Sequence, residues 1–279
     1  MIERWTGGIS IRIHLLFWAV IGLSVAAGYF IETLTLFVIV IIHELGHVAA
    51  ARELGWRVTE VQLLPFGGVA TMEETSFDPL DEVVVALAGP FMNILMIFFS
   101  LVFWKLGIWS LEWTQFFMKS NIMIAGFNLL PIWPLDGGRI VQAVLCLILP
   151  FRQAVLASFL ASSMLAATML GIGIYFLHLN IIAVASYLIV TNGQAYLRFP
   201  FQFIRFLVKK YTHPPNLDKM RSITIPPDST ILQAAERIHK ADYHLFYIRG
   251  HGGGMLPEEE LLQALLYKQK PDWPVLHLL

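Results

Sequence analysis

Two histidines and a glutamate lie in an otherwise apolar stretch, "IVIIHELGHVAA", which runs from residue 39 to residue 50. His43 and His47 are four residues apart, so on a helix both imidazoles project from one face and can bind one tetrahedral zinc ion. Glu44 follows the first histidine and can accept a proton from an attacking water and pass it to a leaving amine. Ionisable groups deep in a bilayer are costly and usually functional. We therefore interpret the pattern as a catalytic metal centre; polar packing between helices is the alternative.

The third metal ligand must come from another part of the chain, because a catalytic zinc takes three protein ligands and keeps one position open. Asp136 is the candidate, since it is the one carboxylate in the later apolar segments and lies in "NLLPIWPLDGG", residues 128–138. Pro134 limits helix continuity before it, and Gly137 and Gly138 free the backbone after it. Broken backbone at membrane depth is tolerated where it lines a buried polar cavity. The alternative is an acid in an interfacial loop.

Apolar segments of transmembrane length must position these residues. The chain has 279 residues, of which 57% are hydrophobic and 14% charged, as is typical of a membrane protein. We predict an α-helical polytopic protein with six spans: 13–31, 33–51, 83–104, a fourth broken at 128–138, and two within 153–197. Six spans place both termini on one side, and the distribution of Lys and Arg assigns that side to the cytoplasm. The zinc helix then carries His43 in its cytoplasmic half.

A cytoplasmic tail follows the predicted membrane domain of residues 1–197. Residues 198–212 form a basic, aromatic segment that suits an anionic membrane surface better than nucleic acid. Residues 213–279 predict a small α/β domain with the order strand, helix, strand, turn, helix, in which Asp228 or Ser229 caps the helix that begins at Thr230. The single cysteine, Cys146, excludes an intramolecular disulfide.

Two further stretches predict substrate contacts. Residues 58–74 alternate short apolar runs about a Gly67-Gly68 turn and predict a hairpin beside the zinc helix, whose edge could pair with an extended substrate. An ordinary interfacial loop is the alternative. "ALAGPFMN", residues 86–93, ends in an amide that could donate to a substrate oxyanion or link two helices. The candidate substrate-binding residues are Pro65, Phe66, Gly67, Gly68, Asn93 and Asn128.

"HELGH" and "NLLPIWPLDGG" together resemble the site-2 proteases, a family of intramembrane zinc metalloproteases with an HExxH helix and a distant motif of the type Asn-Pro-x-x-Asp-Gly. In this chain the asparagine and the proline of that motif are separated, as Asn128 and Pro131 or Pro134. The resemblance implies that Glu44 is the general base and that His43, His47 and Asp136 hold one zinc ion.

Within this family the chain is similar to the stage IV sporulation protein FB group, which shares the "LLPFGG" segment at residues 63–68. That similarity implies a pro-sigma factor as substrate, cut near the cytoplasmic face by removal of its N-terminal prosegment, with inhibitory membrane partners. It also implies a forespore membrane, with both termini on the mother-cell side.

The tail resembles one cystathionine-beta-synthase (CBS) domain. Such domains usually work in pairs and often bind adenine nucleotides, so the resemblance implies pairing with another chain and leaves nucleotide binding open at "GHGGGMLPEEE", residues 250–260. A metal-ion transporter or channel gated by this domain is the alternative function. Glu44 favours the protease, because a transport site has no need of a base next to a ligand.

Overall fold

The computed structural model describes residues 10–13, 15–64, 67–73, 77–213, 219–250, 254–268 and 270–278. Most of these residues are helical. The chain folds as two units, residues 1–131 with 135–140 and residues 132–134 with 141–279.

The first unit contains a three-stranded sheet and the helices that carry the HELGH segment. Its elements are β1 (Ser10–Ile13), α1 (Leu15–Ala26), α2 (Phe30–Glu53), β2 (Arg57–Leu64), β3 (Gly67–Glu73), α3 (Pro79–Lys105), α4 (Leu111–Asn128) and the first turn of α5 (Asp136–Ile148). The helix break predicted at residues 128–138 is confirmed, since α4 ends at Asn128 and α5 begins at Asp136.

Local capping explains where the helices of this unit begin and end. Asp78 caps α3 by accepting a hydrogen bond from the Leu80 N–H at 3.0 Å, directly before Pro79. At the end of α2, Gly55 adopts a positive φ of 75°, and the Trp56 N–H donates to the Ala51 carbonyl at 2.8 Å. This is a Schellman ending, in which the residue after the glycine folds back on the last turn. It turns the chain from α2 into β2.

The predicted hairpin is confirmed, but Gly67 and Gly68 belong to its second strand, where we predicted a turn. β2 pairs with β3 in antiparallel register, with Leu63 opposite Gly68 and Leu64 opposite Gly67. The two glycines are therefore the first residues of β3, and Pro65 and Phe66 lie outside the described residues. β1 adds to the other side of β2 in parallel, so β3 is an outer strand of the described sheet.

The second unit contains two long helices and the tail. Its elements are the rest of α5, α6 (Phe151–Tyr175), α7 (Leu179–Thr212), β4 (Met220–Ile225), α8 (Ile231–Ala235), β5 (Tyr243–Ile248), β6 (Met255–Pro257), α9 (Glu258–Leu266) and a 3₁₀ turn (Val275–Leu278). α7 runs without interruption through residues 197 and 198, so the tail begins as a continuation of this helix. The predicted domain boundaries stay a prediction.

The tail is a small sheet of order β4-β5-β6 packed with α8 and α9. The N-cap of α8 is Thr230, where we had expected Asp228 or Ser229: its hydroxyl accepts from the Gln233 N–H at 3.2 Å, and the Gln233 side chain accepts in return. Within this unit the tail contacts α6 through the Phe151 N–H, which donates to the Ile238 carbonyl at 2.9 Å.

Three of the described helices are long and apolar enough to cross a membrane: α2, α3 and α6. The remaining predicted spans correspond to helices that are shorter or more polar, namely α1, α4, α5 and α7. An integral membrane protein with at least part of the predicted arrangement is thus supported, whereas the total of six spans stays a prediction.

Candidate metal centre

Three ligand-type side chains meet at one point of the first unit. His43 and His47 come from one face of α2, and Asp136 is the first residue of α5. Oδ2 of Asp136 lies 3.2 Å from Nε2 of His43 and 3.2 Å from Nε2 of His47, and the two Nε2 atoms are 3.2 Å apart. All three residues are buried, with 2%, 5% and 8% of their surface exposed in chain order. The structure thus places the three predicted ligands together.

Hydrogen bonds on the far side of each ring define which nitrogens face this point. Nδ1 of His43 lies 2.5 Å from Oδ1 of Asn93, and Nδ1 of His47 lies 2.7 Å from the carbonyl oxygen of Val85. Both partners are acceptors, so each Nδ1 carries the proton and each Nε2 presents a lone pair. Two lone pairs and a carboxylate oxygen at mutual distances of 3.2 Å repel one another unless a cation lies between them.

The size of this triangle fits zinc. Zinc–ligand bonds of about 2.0–2.1 Å in a tetrahedron place the ligand atoms roughly 3.3 Å apart. The observed edges of 3.2 Å agree with that value. The donor set of two imidazoles and one carboxylate is also one that zinc accepts at catalytic sites.

Glycines allow the helices to come close at this centre. A Cβ built on Gly89 would clash with Nε2 of both His43 and His47, so only glycine leaves space beside the ligand atoms. A Cβ on Gly46 would lie 2.7 Å from the Ala88 carbonyl oxygen, which explains the close packing of α2 on α3. Sequence analysis did not predict that Gly89 borders His43 and His47.

A chain of buried amides extends from His43 across three helices. Asn93 in α3 bonds His43, and its Nδ2 donates to Oδ1 of Asn121 in α4 at 2.9 Å. Asn121 in turn donates to the Phe117 carbonyl at 2.9 Å. Both asparagines are fully buried. Asn93 therefore links helices and orients the imidazole of His43. Sequence analysis missed Asn121, although an amide inside an apolar helix was a usable signal.

The other predicted site residues have these positions. Glu44 is half-buried beside His43 and close enough to His47 to interact with it electrostatically. Asn128, the last residue of α4, donates to the Ile124 carbonyl at 3.1 Å. Gly67 and Gly68 begin β3, and Pro65 and Phe66 lie outside the described residues.

A second group of ligand-type residues lies in the tail: His239, Asp242 and His244. Both ring nitrogens of His244 are engaged, Nδ1 with Oε2 of Glu258 at 2.6 Å and Nε2 with the His239 N–H at 3.1 Å. Arg221 donates to Nε2 of His239 at 2.7 Å. Burial, helped by the Arg221 charge, lowers the pKa of His239 to about 4. We interpret this group as a structural hydrogen-bond network of the tail.

Residues 31–110 and 103–171 match the model of peptidase family M50. The chain is also 30% identical to stage IV sporulation protein FB of Bacillus subtilis (strain 168), over 92% of this chain and 91% of that protein. The chain belongs to peptidase family M50. A zinc metalloprotease of Methanocaldococcus jannaschii is 32% identical, over 67% of this chain and 57% of that protein.

The fold agrees with this M50 assignment. The solved structure of a site-2 protease from Methanocaldococcus jannaschii matches with a TM-score of 0.55 and 30% identity, over 67% of this chain and 90% of that one. The protein is therefore a metalloprotease of the site-2 protease type and, with its apolar helices, an integral membrane protein. The predicted family and enzyme class are confirmed. The M50 assignment favours the protease over a transporter.

Proposed function

We propose that this M50 protein is an intramembrane endopeptidase in which His43, His47 and Asp136 hold one zinc ion. The observation that supports this most is the set of three ligand atoms 3.2 Å apart, with both Nδ1 protons directed away to Asn93 and Val85. This arrangement directs both Nε2 atoms and a carboxylate oxygen to one point. A metal ion there would bond all three atoms at once, whereas a proton on one Nε2 would join only two of them.

The chemistry follows from the side chains around this point. Zinc, when bound, supplies Lewis acidity toward the substrate carbonyl and makes water a better nucleophile at neutral pH. Glu44 accepts the proton of the attacking water and delivers it to the leaving amine nitrogen. Burial of the ligands limits competing solvent. Asn93 acts through His43, because its carbonyl oxygen holds the ring and its amide donates to Asn121.

A membrane protease must also hold its substrate extended, since a helix hides its peptide carbonyls. β3 is an outer strand of the described sheet, and β2 follows directly from the helix that carries HELGH. Pairing of an extended substrate with β3 would supply backbone hydrogen bonds. With the termini in the cytoplasm, as the Lys and Arg distribution favours, the cut lies near the cytoplasmic face. Gly67, Gly68, Pro65, Phe66 and Asn128 remain substrate-contact proposals.

For the substrate we propose the N-terminal prosegment of a membrane-associated pro-sigma factor. The support is the similarity to stage IV sporulation protein FB, which covers 92% of this chain and 91% of that protein. Restraint by inhibitory membrane partners on the mother-cell side of a forespore membrane, and pairing through the tail, belong to the same proposal. Binding of an adenine nucleotide by the tail gains no support from the family match or from the metal centre.

Co-expression of the full chain with a candidate pro-sigma factor, in a host that lacks both, tests the function. We expect a shortened product with the wild-type chain and none with Glu44→Gln. If a generic membrane-tethered substrate is cut but no pro-sigma factor is, the substrate proposal is wrong and the protease stands. If neither is cut by a chain that contains zinc, the protease proposal fails.

A further inference from the structure

The loop that leads to Asp136 is held by two buried polar residues of the second unit. The backbone N–H of Trp133 donates to Oγ of Ser162 in α6 at 2.7 Å. Nδ2 of Asn192 in α7 donates to the same hydroxyl oxygen and lies 3.5 Å from the Trp133 carbonyl oxygen. The Trp133 ring also packs edge-to-face on Phe159 of α6, with ring centroids 6.0 Å apart. Two helices thus contact one residue of the loop.

Burial makes these contacts significant. Ser162 and Asn192 are each 1% exposed, so neither can hydrogen-bond to water or to lipid headgroups. The loop backbone between α4 and α5 is outside any helix and needs partners for its polar groups at membrane depth. Ser162 and Asn192 provide them. An unpaired backbone group in hydrocarbon is costly, which favours one fixed loop conformation.

Neighbouring hydroxyls of the same helices behave differently. Ser158, one turn before Ser162, donates to the Val155 carbonyl of its own helix at 2.8 Å and lies 3.5 Å from Oε1 of Gln142 in α5. Thr191, next to Asn192, donates to the Tyr187 carbonyl of its own helix at 2.7 Å. A polar residue in α6 or α7 therefore does not by itself imply a contact with the loop. The contacts of Ser162 and Asn192 are specific to their positions.

We propose that Ser162 and Asn192 are positioning residues for Asp136. Asp136 follows Trp133 by three residues, and the rigid Pro134 lies between them, so fixing the Trp133 backbone restricts where the carboxylate can lie. On the C-terminal side of Asp136, the backbone of Gly137 packs so closely on the Leu129 carbonyl that a Cβ there would clash with it. This close packing also restricts the position of Asp136. The inference rests on the proposed zinc-ligand role of Asp136. It makes zinc affinity dependent on α6 and α7, which carry none of the three ligands.

Near-isosteric variants of the full-length purified protein test the proposal. Ser162→Val and Ser162→Thr have the same shape, but only threonine keeps the hydroxyl. Asn192→Leu removes the amide donor, and Ser158→Ala and Thr191→Val are matched controls. Zinc retention is measured against a competing chelator, together with kcat and KM on a membrane-tethered peptide substrate.

We expect Ser162→Val and Asn192→Leu each to weaken zinc retention by about 10- to 100-fold. Each should lower kcat by a larger factor than the factor by which KM changes. Ser162→Thr should stay close to wild type, and the two controls within about twofold, because neither the Ser158 nor the Thr191 hydroxyl has a hydrogen bond to the described residues of the loop. The double variant Ser162→Val with Asn192→Leu should lose little more than either single one, since both act on one loop.

Three outcomes overturn the inference: full zinc retention by both Ser162→Val and Asn192→Leu, an equal loss in Thr191→Val, or equal losses in Ser162→Thr and Ser162→Val. The last two would show general damage to the bundle. Asp136→Asn is measured in parallel to separate this result from the proposed function. If Asp136→Asn loses zinc while Ser162→Val and Asn192→Leu keep it, the positioning role is wrong and the ligand assignment stands. If Asp136→Asn also keeps zinc, the ligand assignment itself is wrong.

Discussion

Oδ1 of Asn93 lies 2.5 Å from Nδ1 of His43, so a residue of α3 orients an imidazole that we propose as a zinc ligand on α2. Because Oδ1 is an acceptor, the contact favours the proton on Nδ1 and the lone pair on Nε2. Asn121 supports it by accepting from the Asn93 amide at 2.9 Å. Such partners of metal-binding histidines commonly change metal affinity strongly when they are removed.

Replacing Asn93 tests this relationship. Asn93→Leu removes the acceptor and should weaken zinc retention by roughly 10- to 100-fold. Asn93→Asp keeps an acceptor of the same size and should retain more zinc than Asn93→Leu. Chelator competition on the purified protein measures both. Equal zinc retention in the two variants would show that the hydrogen bond to His43 is unimportant for binding.

Glu44→Gln should abolish proteolysis and leave zinc in place. The amide cannot accept the proton of the attacking water, whereas the three ligands are untouched. We expect kcat to fall by at least about 100-fold, as for other lost general bases. Metal analysis and single-turnover cleavage of the same preparation give both numbers. Proteolysis near the wild-type rate would remove Glu44 from the mechanism.

Asp136→Asn should lower zinc content and activity together, because a neutral amide is a poorer zinc ligand than a carboxylate. Chelator treatment of the wild-type protein should also abolish cleavage, and added zinc should restore it. Leu135→Ala, which leaves the carboxylate in place, serves as the control for damage to the loop. Unchanged metal content in Asp136→Asn would reduce Asp136 to a loop acid.

Proline scanning tests substrate pairing at β3. The backbone N–H groups of an outer strand point alternately toward its partner strand and away from it. Of Val69→Pro and Ala70→Pro, one should therefore disrupt the pairing with β2, and the other should leave the fold intact but reduce cleavage. Alanine at Val69 should be mild. Proteolytic stability and cleavage are measured on each variant, and wild-type cleavage by a folded proline variant at either position would exclude pairing through this part of the strand.

An ion pair between the end of α7 and the beginning of α9 predicts an effect on the stability of the tail. Nζ of Lys210 lies 3.5 Å from Oε1 of Glu258, and both side chains are more than nine-tenths buried. Lys210→Met removes this cation while Glu258 keeps its hydrogen bonds with His244, so it should destabilise the tail by about 1–3 kcal/mol. Lys210→Met with Glu258→Gln should cost less than the sum of the single changes. Limited proteolysis and thermal unfolding measure the stability of the tail in each variant. If the double variant loses as much stability as the sum of the two single variants, Lys210 and Glu258 are not a coupled pair.

Features set by neighbours in the chain could be predicted from the sequence. The spacing of His43 and His47 places them on one face of any helix, and the prolines and glycines of residues 128–138 break any helix there. The alternation of short apolar runs in residues 58–74 was enough to predict the hairpin. Local pattern was less reliable for boundaries: Gly67 and Gly68 lie in a strand, and the cap of α8 is Thr230.

The number of spans shows a related limit. Six apolar segments can be counted in the sequence, but α1 has 12 residues in the structure, and α7 continues for 34 residues into a basic segment. Apolar composition indicates that a segment prefers lipid or a protein core. It does not determine where the helix ends, because capping and contacts with the tail decide that.

The sequence by itself determined the enzyme class of this protein, since the types and spacing of His43, Glu44, His47 and Asp136 predict a zinc protease and the family match confirms that class. Only the tertiary structure decided what surrounds them. Asn93 is 50 residues from His43 in the chain, and Val85 is 38 residues from His47. Ser162 and Asn192 contact the Asp136 loop from two further helices. A hydrogen bond between distant residues depends on how helices pack and which side chains meet, and helical periodicity within one segment carries no information about its partner.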